Sequence, residues 1–110
     1  MKNSLKDIPN ISSFVGIEFC TFLLKDNASE EDMIKCSSDM EQQFLSSEDG
    51  FLGHAILKGK DGLYVDLAFA TSQEKAEEIC GKWMENEFAL KYLEFIESES
   101  VNISFWTRIK

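Results

Sequence analysis

From residue 15 onward the chain switches twice from strand-like alternation to helical spacing. Residues 15–25 (VGIEFCTFLLK) lead into an amphipathic stretch over 29–45, and residues 63–70 (LYVDLAFA) lead into another over 71–84. Residues 51–58 (FLGHAILK) and 101–109 (VNISFWTRI) supply two further strand-like runs. The order β-α-β-β-α-β predicts a ferredoxin-like α+β fold, an antiparallel four-stranded sheet with its helices on one face. In the first run Val15, Ile17, Phe19, Thr21 and Leu23 share one face, while Gly16, Glu18, Cys20, Phe22 and Leu24 share the other. Both faces carry apolar bulk, which predicts a central strand. The third run alternates most cleanly, Leu63, Val65, Leu67 and Phe69 against Tyr64, Asp66, Ala68 and Ala70, and its fully apolar face is expected to meet the helices. In the last run Val101, Ile103, Phe105 and Ile109 point inward, and Asn102, Ser104, Trp106 and Arg108 outward.

Boundary residues support this division. Ser29 with Asp32 predicts an N-cap for the first helix, and Thr71 with Glu74 predicts a capping box for the second. Met33, Ser37, Met40 and Phe44 form the buried stripe of the first helix, with Lys35, Asp39, Glu41 and Gln42 on its wet side. Ala76, Ile79, Cys80 and Trp83 form the stripe of the second, and a further helical piece is expected over 87–97. Gly50 suits a left-handed turn before the second strand. Asp61-Gly62, with Gly59 nearby, marks a hairpin without fixing its loop length, so the facing of His54 stays open. Residues 1–13, with Pro9, read as a flexible N-terminal arm, and residues 14–110 as one ferredoxin-like domain.

Composition narrows the partners. The 110 residues are 44% hydrophobic and carry a formal charge of −9, with no block of Lys or Arg able to track a phosphate backbone. Nucleic acid and anionic membrane are therefore not expected. The N-terminal segment lacks the apolar core of a signal peptide, and no run reaches transmembrane length. Cys20, Cys36 and Cys80 form neither a CxxC pair nor a cluster with histidine, so no metal site is expected and the setting is read as cytoplasmic.

Helices on one side leave one sheet face uncovered. Assigned to that face are Glu18, Cys20, Phe22, Leu24, Tyr64, Asp66, Ala68, Asn102, Ser104, Trp106 and Arg108. Each large apolar side chain left in water forfeits roughly 1.5–3 kcal/mol, so a homodimer through this face is expected, with a ligand cavity between the sheets or beneath the helices. His54, the single histidine, suits general-base work on an acidic C–H or phenol if it faces the cavity; at a strand edge it is an inert hydrogen-bonded residue. Phe22, Tyr64, Trp83 and Trp106 would shape an aromatic pocket, although core or interface packing explains them too. Asp66 and Arg108 would orient a polar ligand or form a salt bridge between subunits. Glu18 would accept a proton if burial raised its pKa. Cys20 and Cys80 read as small buried hydrophobes.

The passage 50–78 (GFLGHAILKGKDGLYVDLAFATSQEKAEE) and the later 83–93 (WMENEFALKYL) resemble the dimeric α+β barrel superfamily, which includes antibiotic-biosynthesis monooxygenase-like proteins. The Gly-Phe opening of the second strand, the hairpin, the apolar third strand and Thr71-x-x-Glu74-x-Ala76 carry the likeness, which spans about residues 14–109. The resemblance implies a ferredoxin-like dimer and admits cofactor-independent oxygenases, haem-degrading enzymes and small-molecule decyclases. The haem-degrading branch uses a histidine in the second helical region and a strand-one Asn, and residues 71–97 and the first strand lack them. Haem chemistry, and any other cofactor, is therefore not expected. Two readings follow. One is a homodimeric module binding a small apolar or aromatic ligand, or an accessory protein; the other is a cofactor-independent monooxygenase-like enzyme acting on an aromatic or polyketide-like substrate.

Overall fold

The structure, a computed structural model, describes residues 13–110, so the proposed N-terminal arm lies outside the described residues apart from Ser13. Its elements are β1 (Gly16–Leu23), α1 (Glu30–Gln43), β2 (Phe51–Lys58), β3 (Leu63–Ala70), α2 (Gln73–Cys80), α3 (Glu87–Leu93) and β4 (Asn102–Thr107). The strands form one antiparallel sheet in the order β2-β3-β1-β4, the ferredoxin-like arrangement expected from the patterning. The central position of β1 explains why its sequence is apolar on both faces.

Local chemistry sets the element ends. Ser29 caps α1 by accepting from the Asp32 amide, and three acidic residues in the first turn face the positive end of the helix dipole. The second cap is Ser72 rather than Thr71: its hydroxyl accepts from the Lys75 amide, so α2 starts one residue later than the capping-box pattern indicated. The piece expected over 87–97 is a shorter helix, capped by Asn86, which accepts from the Phe88 and Ala89 amides. After it the chain leaves the helix and bridges to the residue that follows β1, Leu24 against Ile96. Asp61 and Gly62 both take positive φ, 60° and 80°, and the Leu63 amide donates to the Lys60 carbonyl, which gives the tight hairpin turn matched to strand twist.

The core lies between the sheet and the helices, with Phe22, Met33, Met40, Leu45 and Tyr92 fully buried. This corrects the expected facing of β1 and β3. The helices cover Glu18, Cys20, Phe22, Tyr64, Asp66, Ala68 and Ala70, and the more apolar set, Ile17, Phe19, Leu63, Val65, Leu67 and Phe69, faces away from them. Alternation identifies two faces but not which one is covered. Small residues decide it here: a Cβ on Gly16 would stand 2.1 Å from the Ser72 backbone, so this face alone admits the close approach of α2. In β4 the facing is as expected, Trp106 pairing with Ile17 on the open face and Ile103 with Cys20 on the covered one.

Candidate functional site

Burying polar side chains under the helices obliges them to find partners. Asp66, in the middle of β3, is 3% exposed and uses both carboxylate oxygens: Oδ1 lies 2.9 Å from His54 Nε2, and Oδ2 accepts from the Tyr92 hydroxyl at 2.6 Å. His54 reaches this position through the hairpin register: Lys58 pairs with Tyr64, and the pairing runs unbroken back to His54 opposite Ala68 on the covered face. The irregularity of β2 lies beyond it, between Gly53 opposite Phe69 and Phe51 opposite Ala70. A shift of one residue in the hairpin pairing would bring His54 opposite Leu67 on the open face. The imidazole is buried, and its Nδ1 lies 3.7 Å from Glu41 of α1, whose side chain is partly exposed. Burial pulls the His54 pKa down, but the charge and hydrogen bond of Asp66, joined by Glu41, outweigh it and push the value up to about 10. His54 is accordingly an imidazolium near neutral pH rather than a free base.

A cavity of about 600 Å³ opens beside this cluster, between the sheet and the α2–α3 segment. Phe22, Trp83, Leu93, Ile96, Val101 and Ile103 give it mostly apolar walls, and Glu18, Asp66 and the thiols of Cys20 and Cys80 supply its polar atoms. Exposed Lys25, Met84 and Glu94 mark its mouth. Glu18 is 4% exposed and hydrogen-bonds with the Cys80 thiol. Burial, followed by the nearby Asp66 charge, raises its pKa from 4.5 to about 7, so near neutrality it is divided between acid and carboxylate. Burial first, and then the carboxylates, push Cys20 and Cys80 up to about 12, which keeps both as thiols. Burial and Asp66 likewise raise the Tyr92 phenol, which remains a donor.

The residues singled out in the sequence divide between three places. Phe22, Asp66 and Trp83 line the cavity, and Trp83 packs at a tilt against Tyr92 with ring centroids 5.8 Å apart. Tyr64 stacks on Phe22 at 5.5 Å and donates to Glu30 at 2.6 Å, which places it in the core beside the cavity. His54 touches a smaller depression between α1 and β2 and reaches the cavity only through Asp66. Trp106 and Arg108 are not brought to the cavity: Trp106 is 57% exposed on the open face, and Arg108 lies over the Phe14 ring at 4.7 Å. The anticipated pairing of Asp66 with Arg108 is replaced by the contacts to His54 and Tyr92. Tyr92, Cys80 and Glu41 enter the site from helical positions that the periodicity assigned to packing or solvent. A tyrosine on an apolar stripe was the available signal for Tyr92, because a buried hydroxyl needs an acceptor.

Among the described residues no group of His, Cys, Asp and Glu is arranged to hold a metal ion. No described helix is long and apolar enough to cross a membrane. No protein-family model and no curated protein matches the chain. Solved structures do. A monooxygenase from the ActVA-Orf6 gene of Streptomyces coelicolor, in complex with nanaomycin D, is similar over 92% of this chain and 93% of its own, with 19% identity and a TM-score of 0.67. SnoaB from Streptomyces nogalater, a cofactor-independent oxygenase, is similar over 86% and 94%, with 15% identity and a TM-score of 0.65. A protein from Bordetella bronchiseptica, described as a candidate antibiotic biosynthesis monooxygenase, covers 88% and 99%, with 11% identity and a TM-score of 0.72. The chain thus has the ferredoxin-like fold of antibiotic-biosynthesis monooxygenase-like proteins.

Proposed function

We propose that the protein binds a small hydroxylated aromatic or polyketide-like molecule in the cavity between sheet and helices and oxygenates it with Glu18 as general base. The carrying observation is Glu18 itself, a carboxyl buried in an apolar cavity and balanced between its two protonation states near pH 7. Phe22 and Trp83 offer flat walls for an aromatic ring, and an uncharged ligand with an acidic C–H or phenol would lose its proton to Glu18. The resulting electron-rich anion would reduce dioxygen directly. For a ring methylene the balance is CH2 + O2 giving C=O + H2O: one oxygen enters the product, the other leaves as water, and the substrate supplies all the electrons. The proposal therefore names no cofactor. Support comes from the fold shared with SnoaB and ActVA-Orf6. His54, placed earlier as candidate base, is proposed here to act through Asp66 rather than on the ligand.

The test supplies a hydroxyanthrone under oxygen-18 gas, following oxygen uptake and product mass. Turnover with a single labelled oxygen is expected, and Glu18→Gln should reduce it by about 100-fold or more while binding persists. Full turnover by Glu18→Gln would remove the base assignment. Binding without turnover in the native protein would favour a ligand-binding module, the second reading.

A second copy of the chain is proposed to cover the open face. Leu57, Leu63 and Trp106 are 47%, 42% and 57% exposed there, beside Ile17, Phe19, Val65, Leu67 and Phe69.

A further inference from the structure

The covered face buries more charge than a single base requires. Asp66 lies opposite Cys20 and Glu18 opposite Ala68, so the two carboxyls are diagonal neighbours on adjacent strands, within mutual electrostatic reach. Two carboxylates in one low-dielectric cavity resist ionising together unless a cation compensates them. The titratable groups facing the pair come from every layer: Cys20 from β1, Cys80 from α2, Tyr92 from α3, His54 from β2 and, behind His54, Glu41 from α1. Lys25 and Glu94 stand at the exposed mouth, where water screens them. Of the buried members of this set, only His54 can carry positive charge. Its side chain is 2% exposed, and each ring nitrogen faces a carboxylate.

We propose that His54 is a positioning residue for the base: held between Asp66 and Glu41, its imidazolium cancels the Asp66 charge and leaves Glu18 as the carboxyl that exchanges a proton with the ligand. The hydrogen bonds agree with this division. Asp66 accepts at both oxygens, from His54 and from Tyr92, and hydrogen bonds to the charged form favour the carboxylate. Glu18 has a thiol as its hydrogen-bonding partner, and a thiol is a weak donor to a carboxylate. The hairpin register belongs to the same device, since it brings the cation to the covered face.

The inference rests on reading Glu18 as the base, yet its test needs no ligand. The side-chain carboxyl carbon of Glu18 is titrated by NMR in the full-length protein and in two variants. His54→Gln removes the cation and should raise the Glu18 midpoint by about one unit or more, a tenfold change in proton affinity. Asp66→Asn removes the opposing anion and should lower it. Opposite shifts are the signature of charge compensation; shifts in one direction, or none, would overturn the proposal, because a merely structural role predicts no such sign change. If His54→Gln fails to fold, the native protein decides: the His54 ring, titrated by NMR, should keep its proton through the whole Glu18 transition. A ring that loses its proton before Glu18 does would overturn the proposal as well. Opposite shifts in a protein that neither binds nor turns over a hydroxyanthrone would leave the positioning role standing and remove the oxygenase reading.

Discussion

Beneath the helices the sheet carries Glu18, Asp66 and His54 among a glycine and two alanines, whereas its open face carries Ile17, Phe19, Val65, Leu67 and Phe69. Judged by hydrophobicity alone, the second set is the better core. The difference lies in how each face meets its cover. Helices packing on Gly16, Ala68 and Ala70 come close at one end and leave room elsewhere, and that room can hold polar groups that satisfy one another. A flat, apolar face with few hydrogen-bonding side chains is instead suited to a matching flat surface, as a second copy would provide. Apolar content therefore points here to the intermolecular surface, and buried polarity to the site.

Three experiments separate the two faces. The largest effect is expected from Phe22→Ala on the covered face, where a fully buried ring is lost: about 3–5 kcal/mol of stability by denaturant unfolding, independent of protein concentration. A smaller loss, on the order of 2–4 kcal/mol, is expected on raising the pH from about 5 to about 8. Both buried groups bind protons more tightly in the folded state, His54 at about 10 against 6.5 and Glu18 at about 7 against 4.5. Folding thus takes up protons between these limits, and the associated stability is present on the acid side and lost between each group's unfolded and folded values, nearly all of it for Glu18 by pH 8 and part of it for His54. A stability that rises across this interval would contradict the protonation states assigned to the covered face. The smallest effect on the isolated chain is expected from Leu67→Asp on the open face, a change within about 1 kcal/mol because the side chain is already half-buried only. The same variant should halve the mass seen by native mass spectrometry at dilute concentration. An unchanged mass would argue against a dimer through this face.

Much of the architecture is legible in the sequence. β2 and β3 run over residues 51–58 and 63–70 as their patterning predicts, since hairpin turn chemistry and alternation act locally. Helix ends drift because Thr71 and Ser72 are both competent caps and only tertiary packing chooses between them. The facing of β1 and β3 is not a local property at all, since it depends on where a helix can come close. His54 is the sharpest case. Its facing turns on the register of the hairpin between Lys58 and Leu63, and the Asp61-Gly62 signal marks a turn without counting its loop residues. Glu18 left a clearer trace, as the one charge inside the apolar run of residues 15–24, and burial is the largest cause of its raised pKa.

The contact of Gly16 with Ser72 has a consequence for how such a chain can change. Sheet and helix layers touch there, and the cavity lies farther along β1, from Glu18 and Cys20 to Phe22 and the mouth at Lys25. Substitutions in its apolar wall, at Leu93, Ile96 or Ile103, would resize the compartment while the contact at Gly16 keeps the layers in register. The fold thereby separates the residues that set ligand size from those that hold the chemistry, so new specificities can be reached by altering the former without rebuilding the latter.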